Sequence, residues 1–218
     1  MRLLTALLFA LDQTLYAPAT GLLQAGDCRI TDYLAHRLDL PRERADAERQ
    51  RLWRQYGTTA RGVEIEHDIP QREVYLHSLE GLDPADYLFR DEPLARMLSG
   101  LATDLYVVTN SAASYAHRVL AALGLDHCFR QVFDIEALNW CPKPEQTAYQ
   151  SVLAALDCSA HEVGMIEDFP WNLTPAQELG MFTIYLGLDE ATADLCLTDL
   201  LDLPGALAEA GVVLQRRA

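Results

Sequence analysis

No two of the five cysteines, Cys28, Cys128, Cys141, Cys158 and Cys196, stand close enough to form a CxxC pair. Their odd number and wide scatter argue against a disulfide framework and against a zinc site, and point instead to buried, reduced thiols in a cytoplasmic protein. Long hydrophobic runs are missing as well. No segment approaches the roughly 18–20 apolar residues that a membrane-spanning helix requires. The opening "MRLLTALLFAL" is a short run ended by Asp12, so the expectation is a mature N-terminus rather than a cleaved leader. Basic residues are scarce: 17 Lys and Arg against 32 Asp and Glu leave a formal charge of −15. Such a chain repels phosphate backbones and anionic lipid, which disfavours a nucleic-acid polymer or a membrane surface as partner. Internal repeats, Gly/Ser linkers and low-complexity tracts are also absent.

What remains is an ordinary globular composition, half hydrophobic, in 218 residues, enough for one core with an insertion. From residue 104 onward, short and nearly continuous apolar runs alternate with helical patterns. The runs are "DLYVVTN" (104–110), "QVFDI" (131–135), "EVGMIED" (162–168), "MFTIYLG" (181–187) and "LCLTD" (195–199). Continuous apolar runs of this length suit parallel strands buried on both faces. Of the intervening helices, one has Ser111 as its expected N-cap and Gly124 as its stop, one follows Lys143, and one runs from Pro175 to Gly180. The expected fold is α/β, a doubly wound parallel sheet whose ligand crevice lies beyond the carboxyl ends of its strands.

"TALLFAL" (5–11) reads as one more strand of that sheet, separated from the others by a stretch of different character. Residues 17–90 carry helical patterns and no convincing strand: a stripe through Leu22, Leu34 and Leu38, a charged helix over 42–56, and a short helix over about 71–79. The expected division is a core of residues 1–16 and 91–218 and a helical cap of residues 17–90 covering the crevice. The sparse apolar face of the 42–56 helix fits either a cap surface or a dimer contact, which leaves monomer and homodimer both open.

Collecting only the strand ends gives Ala10 and Asp12 from the first strand, Thr109 and Asn110 from the second, and Glu167 and Asp168 from the fourth. Lys143 stands between two prolines just before a helix. Acids at one sheet edge can hold a magnesium ion, while a lysine, a hydroxyl and a helix N-terminus behind Ser111 can bind phosphate oxygens. Taken singly, each residue has an ordinary structural reading: Asp12 as a turn or cap, Thr109 as a strand end, Lys143 as a solvated side chain. Trp53, Tyr56, Trp140 and Trp171 read chiefly as core, with base stacking as the second reading.

The stretches "FALDQTLY", "VVTNS", "PKPE" and "MIEDFPWN" resemble the four motifs of the haloacid dehalogenase (HAD) superfamily, and the likeness extends over nearly the whole chain. "LYAPATGLL" and "LWRQYGTTARGV" look most like its pyrimidine 5'-nucleotidase branch, which carries a C1-type helical cap. The resemblance implies magnesium-dependent phosphoryl transfer from a small phosphorylated metabolite, such as a nucleoside 5'-monophosphate, through an aspartyl-phosphate. Carried onto this chain, it makes Asp12 the general acid/base and places its backbone carbonyl on the metal. Asp168 is then a metal ligand, with Glu167 and Asn172 behind it. Thr109, Asn110 and Ser111 bind the phosphoryl group, Lys143 offsets its charge, and Thr58, Thr59 and Arg61 of the cap contact substrate.

One position departs from that pattern. The family's nucleophile is an aspartate two residues before Asp12, and here that position is Ala10. A methyl group cannot attack phosphorus, so the chain as it stands is expected to be catalytically impaired. Two explanations stay open: a phosphatase altered by an Asp-to-Ala substitution, or a natural non-catalytic binding protein of the same fold. A dehalogenase is disfavoured by Asp12, because the phosphatases keep that second aspartate for the leaving alcohol.

Overall fold

The computed structural model describes residues 1–188 and 191–216. Its strands are β1 (Arg2–Leu4), β2 (Ala6–Phe9), β3 (Asp104–Val108), β4 (Gln131–Phe133), β5 (Val163–Glu167), β6 (Phe182–Leu186), β7 (Leu195–Leu197) and β8 (Val212–Leu214). Six of them form one parallel sheet in the order β4-β3-β2-β5-β6-β7. The doubly wound sheet expected from the apolar runs is therefore present, with β2 central. The chain leaves β2 toward β3 and β4 and returns on the other side at β5, so the sheet changes direction beside β2, where such folds place their ligand crevice.

Every residue of β2 and of β5 is buried, which is why these segments read as unbroken apolar runs. The two faces separate by the two-residue period of a strand. Leu7 and Phe9 pack into one apolar cluster with Leu105, Val107 and Ile184, whereas Ala6, Leu8 and Ala10 pack into a second with Val152, Met165 and Leu173. Full burial of a leucine stabilises by roughly 1.5–3 kcal/mol, so this strand anchors both layers.

β1 and β8, which the sequence did not suggest, pair in parallel as a separate two-stranded sheet. Three residues each are too few to show a period, and β1 merges in sequence with the apolar run of β2.

Within residues 17–90 lie α1 (Leu22–Arg37), α2 (Arg42–Tyr56), α3 (Thr59–His67) and α4 (Gln71–Ser78). The stretch is helical, as expected, but holds one helix more than predicted. α3 starts at Thr58, whose hydroxyl accepts from the Arg61 N–H at 3.0 Å, a side-chain cap that satisfies one of the four free N–H groups of a helix start. The apolar face of α2, Ala45 and Leu52, is buried, and both residues belong to the same cluster as Leu22 of α1, Val63 of α3 and Leu7 of the sheet.

The remaining helices are α5 (Glu92–Gly100), α6 (Ala113–Leu123), α7 (Gln146–Leu156), α8 (Pro170–Glu178) and α9 (Leu203–Glu209). Gly124 ends α6 with φ of +72°, as the sequence implied. Two expectations need correction. α8 begins at Pro170, not Pro175, because proline fits the first helical position and Pro175 is carried inside the helix. Ser111 is not the cap of α6: the Ala113 N–H is accepted by Asp134 Oδ2 at 2.9 Å, from beyond the end of β4.

The cysteines are free, but none is buried: Cys28 and Cys196 are exposed and the other three are half-buried. Among the described residues no helix is long and apolar enough to cross a membrane.

Candidate active site

Beyond the carboxyl ends of β2, β3 and β5 lies a cavity of about 370 Å³, roofed by α1, α2, α3 and α4. Ala10, Asp12, Thr109, Asn110, Ser111, Lys143, Glu167, Asp168 and Asn172 all line it, as do Thr58 and Thr59 from the inserted helices. Four separate strand and loop ends, far apart in sequence, thus converge as their motifs suggested. Arg61 does not reach the cavity. Its guanidinium lies 2.9 Å from Glu64 and 3.7 Å from Glu145, so it ties α3 to the loop before α7.

Asp12 holds the centre. Its Oδ1 accepts from the Tyr16 hydroxyl at 2.5 Å and the Tyr115 hydroxyl at 3.2 Å, and its Oδ2 from the Ser111 hydroxyl at 3.2 Å. Desolvation in the cavity raises the Asp12 carboxyl above the ordinary aspartate range, and the three hydroxyls and the Lys143 charge offset only part of that rise. Both tyrosine hydroxyls are pushed upward, chiefly by burial and by the Asp12 charge.

Lys143 Nζ lies 2.6 Å from Glu167 Oε2, with both side chains almost fully enclosed. The lysine loop is held from the sheet: Asn110 accepts from the Lys143 N–H at 2.8 Å and donates to its carbonyl at 2.9 Å. Asn110 therefore commits both ends of its amide to that loop, and its carbonyl accepts from the Tyr75 hydroxyl at 2.7 Å. Thr109 accepts from the Ser111 N–H at 3.1 Å, which leaves its own hydroxyl proton available to a ligand. Thr58 and Thr59 have structural bonds of their own, Thr58 as the cap of α3 and Thr59 to the Arg49 carbonyl at 3.1 Å.

The acidic side is built around Asp168. Its carboxylate accepts from Gln13 at 3.3 Å and Thr14 at 3.2 Å, a convergence helped by the left-handed backbone of Gln13, φ +59°. Burial, then the neighbouring Glu167 charge, pushes the Asp168 carboxyl up to about 8. Asn172 lines the same cavity, and its Oδ1 is buried without a hydrogen-bond partner, an uncommon state for a buried oxygen. The Asp168 carboxylate and the unpartnered Asn172 amide oxygen are hard oxygen donors lining one cavity. That set fits a magnesium-like cation, which takes one or two carboxylates and completes its shell with water or phosphate.

Several lining residues were not singled out from sequence. Tyr115 sits on the apolar stripe of α6, where its hydroxyl left no trace in the pattern, and Tyr16, four residues after Asp12, supports that carboxylate from behind the lining. Asp27 and Arg49, paired at 2.9 Å, line the roof. One compositional signal was available for Lys143: it is the sole lysine of the chain, the other 16 basic residues being arginine. Of the four aromatic candidates, Trp53 and Trp171 line the cavity, whereas Trp140 and Tyr56 pack against the core.

The haloacid dehalogenase-like hydrolase family model matches residues 13–180, a span that opens just after Asp12. Solved structures of the same fold include L-2-haloacid dehalogenase from Xanthobacter autotrophicus, 15% identical, with a TM-score of 0.62 over 97% of this chain and 100% of that one. A magnesium-bound HAD-hydrolase from Bacillus subtilis, YfnB, is 19% identical, with a TM-score of 0.65 over 95% and 100%. A HAD phosphatase from Thermococcus onnurineus is 18% identical, with a TM-score of 0.62 over 94% and 98%. At these identities the structural likeness speaks to the fold, and the family follows from the model that covers most of the chain. This chain belongs to the haloacid dehalogenase-like hydrolase family.

Proposed function

We propose that the chain is the substrate-holding form of a magnesium-dependent phosphomonoester hydrolase whose nucleophile, an aspartate at position 10, is replaced by Ala10. The observation that carries this reading is the convergence of Asp12, Thr109, Lys143 and Asp168 on one cavity in a net acidic chain. Thr109 and Lys143 supply a donor and a charge for phosphate oxygens. Asp168, the Asp12 carbonyl and Asn172 would hold magnesium, whose charge would neutralise the phosphate dianion.

With an aspartate at position 10, one of its oxygens bonds to phosphorus as the ester P–O bond breaks. Asp12 gives its proton to the departing alkoxide. Asp12 then takes a proton from water as that water attacks phosphorus, and inorganic phosphate leaves with the aspartate regenerated. A carboxyl raised by burial and steadied by three hydroxyls suits both halves of this exchange. Residues 17–90 act as the cap that closes over a small phosphorylated metabolite, with nucleoside 5'-monophosphates as the first candidates.

The test is Ala10→Asp, followed by phosphate release from a panel of phosphate esters with magnesium. Release rising by orders of magnitude supports the reading. A second reading, a natural ligand-binding protein without catalysis, is favoured by Ala10 itself and predicts no release from Ala10→Asp alongside tight ligand binding by the present chain.

A further inference from the structure

Trp53 of α2 meets two rings from the start of α8, and the three form one aromatic wall. Its ring lies 5.6 Å from Phe169 and 5.4 Å from Trp171, edge-on to both, while Phe169 and Trp171 stack at 4.8 Å. All three line the same cavity as Lys143 and Asp168. Depth separates the two ends: the Lys143 and Glu167 side chains are almost fully enclosed, whereas Trp171 is 47% exposed. Trp53 and Trp171 also line the adjoining crevice with Gly57 and Pro144, so the wall stands where the cavity opens toward solvent. An indole left half exposed at the mouth of a cavity offers a flat apolar face that core packing alone does not require.

We propose that this wall selects the leaving group, and that the group carries a flat ring laid against Trp53, Phe169 and Trp171 while the phosphate sits at the Lys143 end. Arg49 on the roof is already engaged by Asp27 and Asp46, and Arg54 beside the wall donates to Gln50 Oε1 at 3.3 Å, so the flat faces of the rings are the recognising feature at this end. Stacked aromatic pairs gain beyond their buried area, so a ring should add about tenfold in affinity. The proposal rests on the phosphomonoester reading above, and the experiment separates the two.

The present chain, which should bind without turnover, is titrated calorimetrically with inorganic phosphate, glycerol phosphate and phenyl phosphate in magnesium buffer. The expected result is about tenfold tighter binding of phenyl phosphate than of glycerol phosphate, a ratio falling to near one in Trp171→Ala and retained in Trp171→Phe. In a Trp140→Phe background, emission arises only from Trp53 and Trp171 and should respond to phenyl phosphate far more than to glycerol phosphate. Equal affinities for the two esters, with inorganic phosphate still bound, overturn the aromatic wall and leave the phosphate cradle standing. A ratio that survives in Trp171→Ala overturns it as well. If none of the three ligands binds, the phosphomonoester reading falls and the wall falls with it.

Discussion

Lys143 and Glu167 form an enclosed ion pair, 2.6 Å from Nζ to Oε2, that joins the loop before α7 to the end of β5. Removing one partner of such a pair strands the other charge in a low dielectric, at a cost of about 3–5 kcal/mol. Lys143→Ala should therefore lower the urea midpoint sharply, and Lys143→Ala/Glu167→Gln should recover part of the loss. Both variants should bind inorganic phosphate more weakly by calorimetry. Unchanged phosphate affinity in Lys143→Ala would remove the lysine from the site.

Asp168 gives a pH dependence whose sign can be worked out. Its carboxyl is raised to about 8 in the fold and titrates near 4 when unfolded. Between those values the folded chain binds the extra proton, so this residue's contribution to stability falls as pH rises toward 8. Magnesium competes with that proton. The melting-temperature gain from added magnesium should thus grow from pH 6 to pH 8.5, and Asp168→Asn should abolish it while melting higher than the parent at pH 8.5 without metal. A magnesium gain equal at both pH values would contradict this assignment.

Gly57 packs directly against the lysine loop. It sits at φ +78°, and a Cβ there would lie 2.6 Å from the Lys143 carbonyl and 2.9 Å from Pro144 Cδ. Left-handed backbone costs a non-glycine residue roughly 1–2 kcal/mol before any clash. Gly57→Ala should therefore destabilise by at least about that much and weaken phosphate binding by displacing the Lys143 loop. Wild-type stability in chemical denaturation would show that the loop yields freely.

Asp134 caps two backbone N–H groups at once, Ala113 at 2.9 Å and Ala137 at 3.0 Å. Truncation to alanine should cost about 1–3 kcal/mol, the range for a lost cap plus an unsatisfied buried donor. Hydrogen exchange should show faster opening of the first turn of α6, with little change at α7. Uniform exchange rates across both helices would argue that water replaces the carboxylate at no cost.

The parallel sheet, the helical nature of residues 17–90 and the strand-end motifs were legible in the sequence for a local reason. A strand buried on both faces must be apolar at every position, and the groups that serve a cavity must follow directly where the strand stops. Phe9 runs into Ala10 and Asp12, Val108 into Thr109, and Glu167 into Asp168 by chain continuity alone. Only the tertiary structure decided what surrounds those groups. Tyr115 reaches Asp12 across 103 residues, Asn110 turns its amide to the Lys143 loop, Asp134 caps α6 in place of Ser111, and Arg61 faces Glu64 and Glu145 rather than the cavity. Such pairings depend on how one element is rotated against another, and a single hydroxyl or guanidinium imposes no period on its own segment. The sequence thus determined which residues stand at the rim of the sheet, while packing determined which of them face the cavity and in what company.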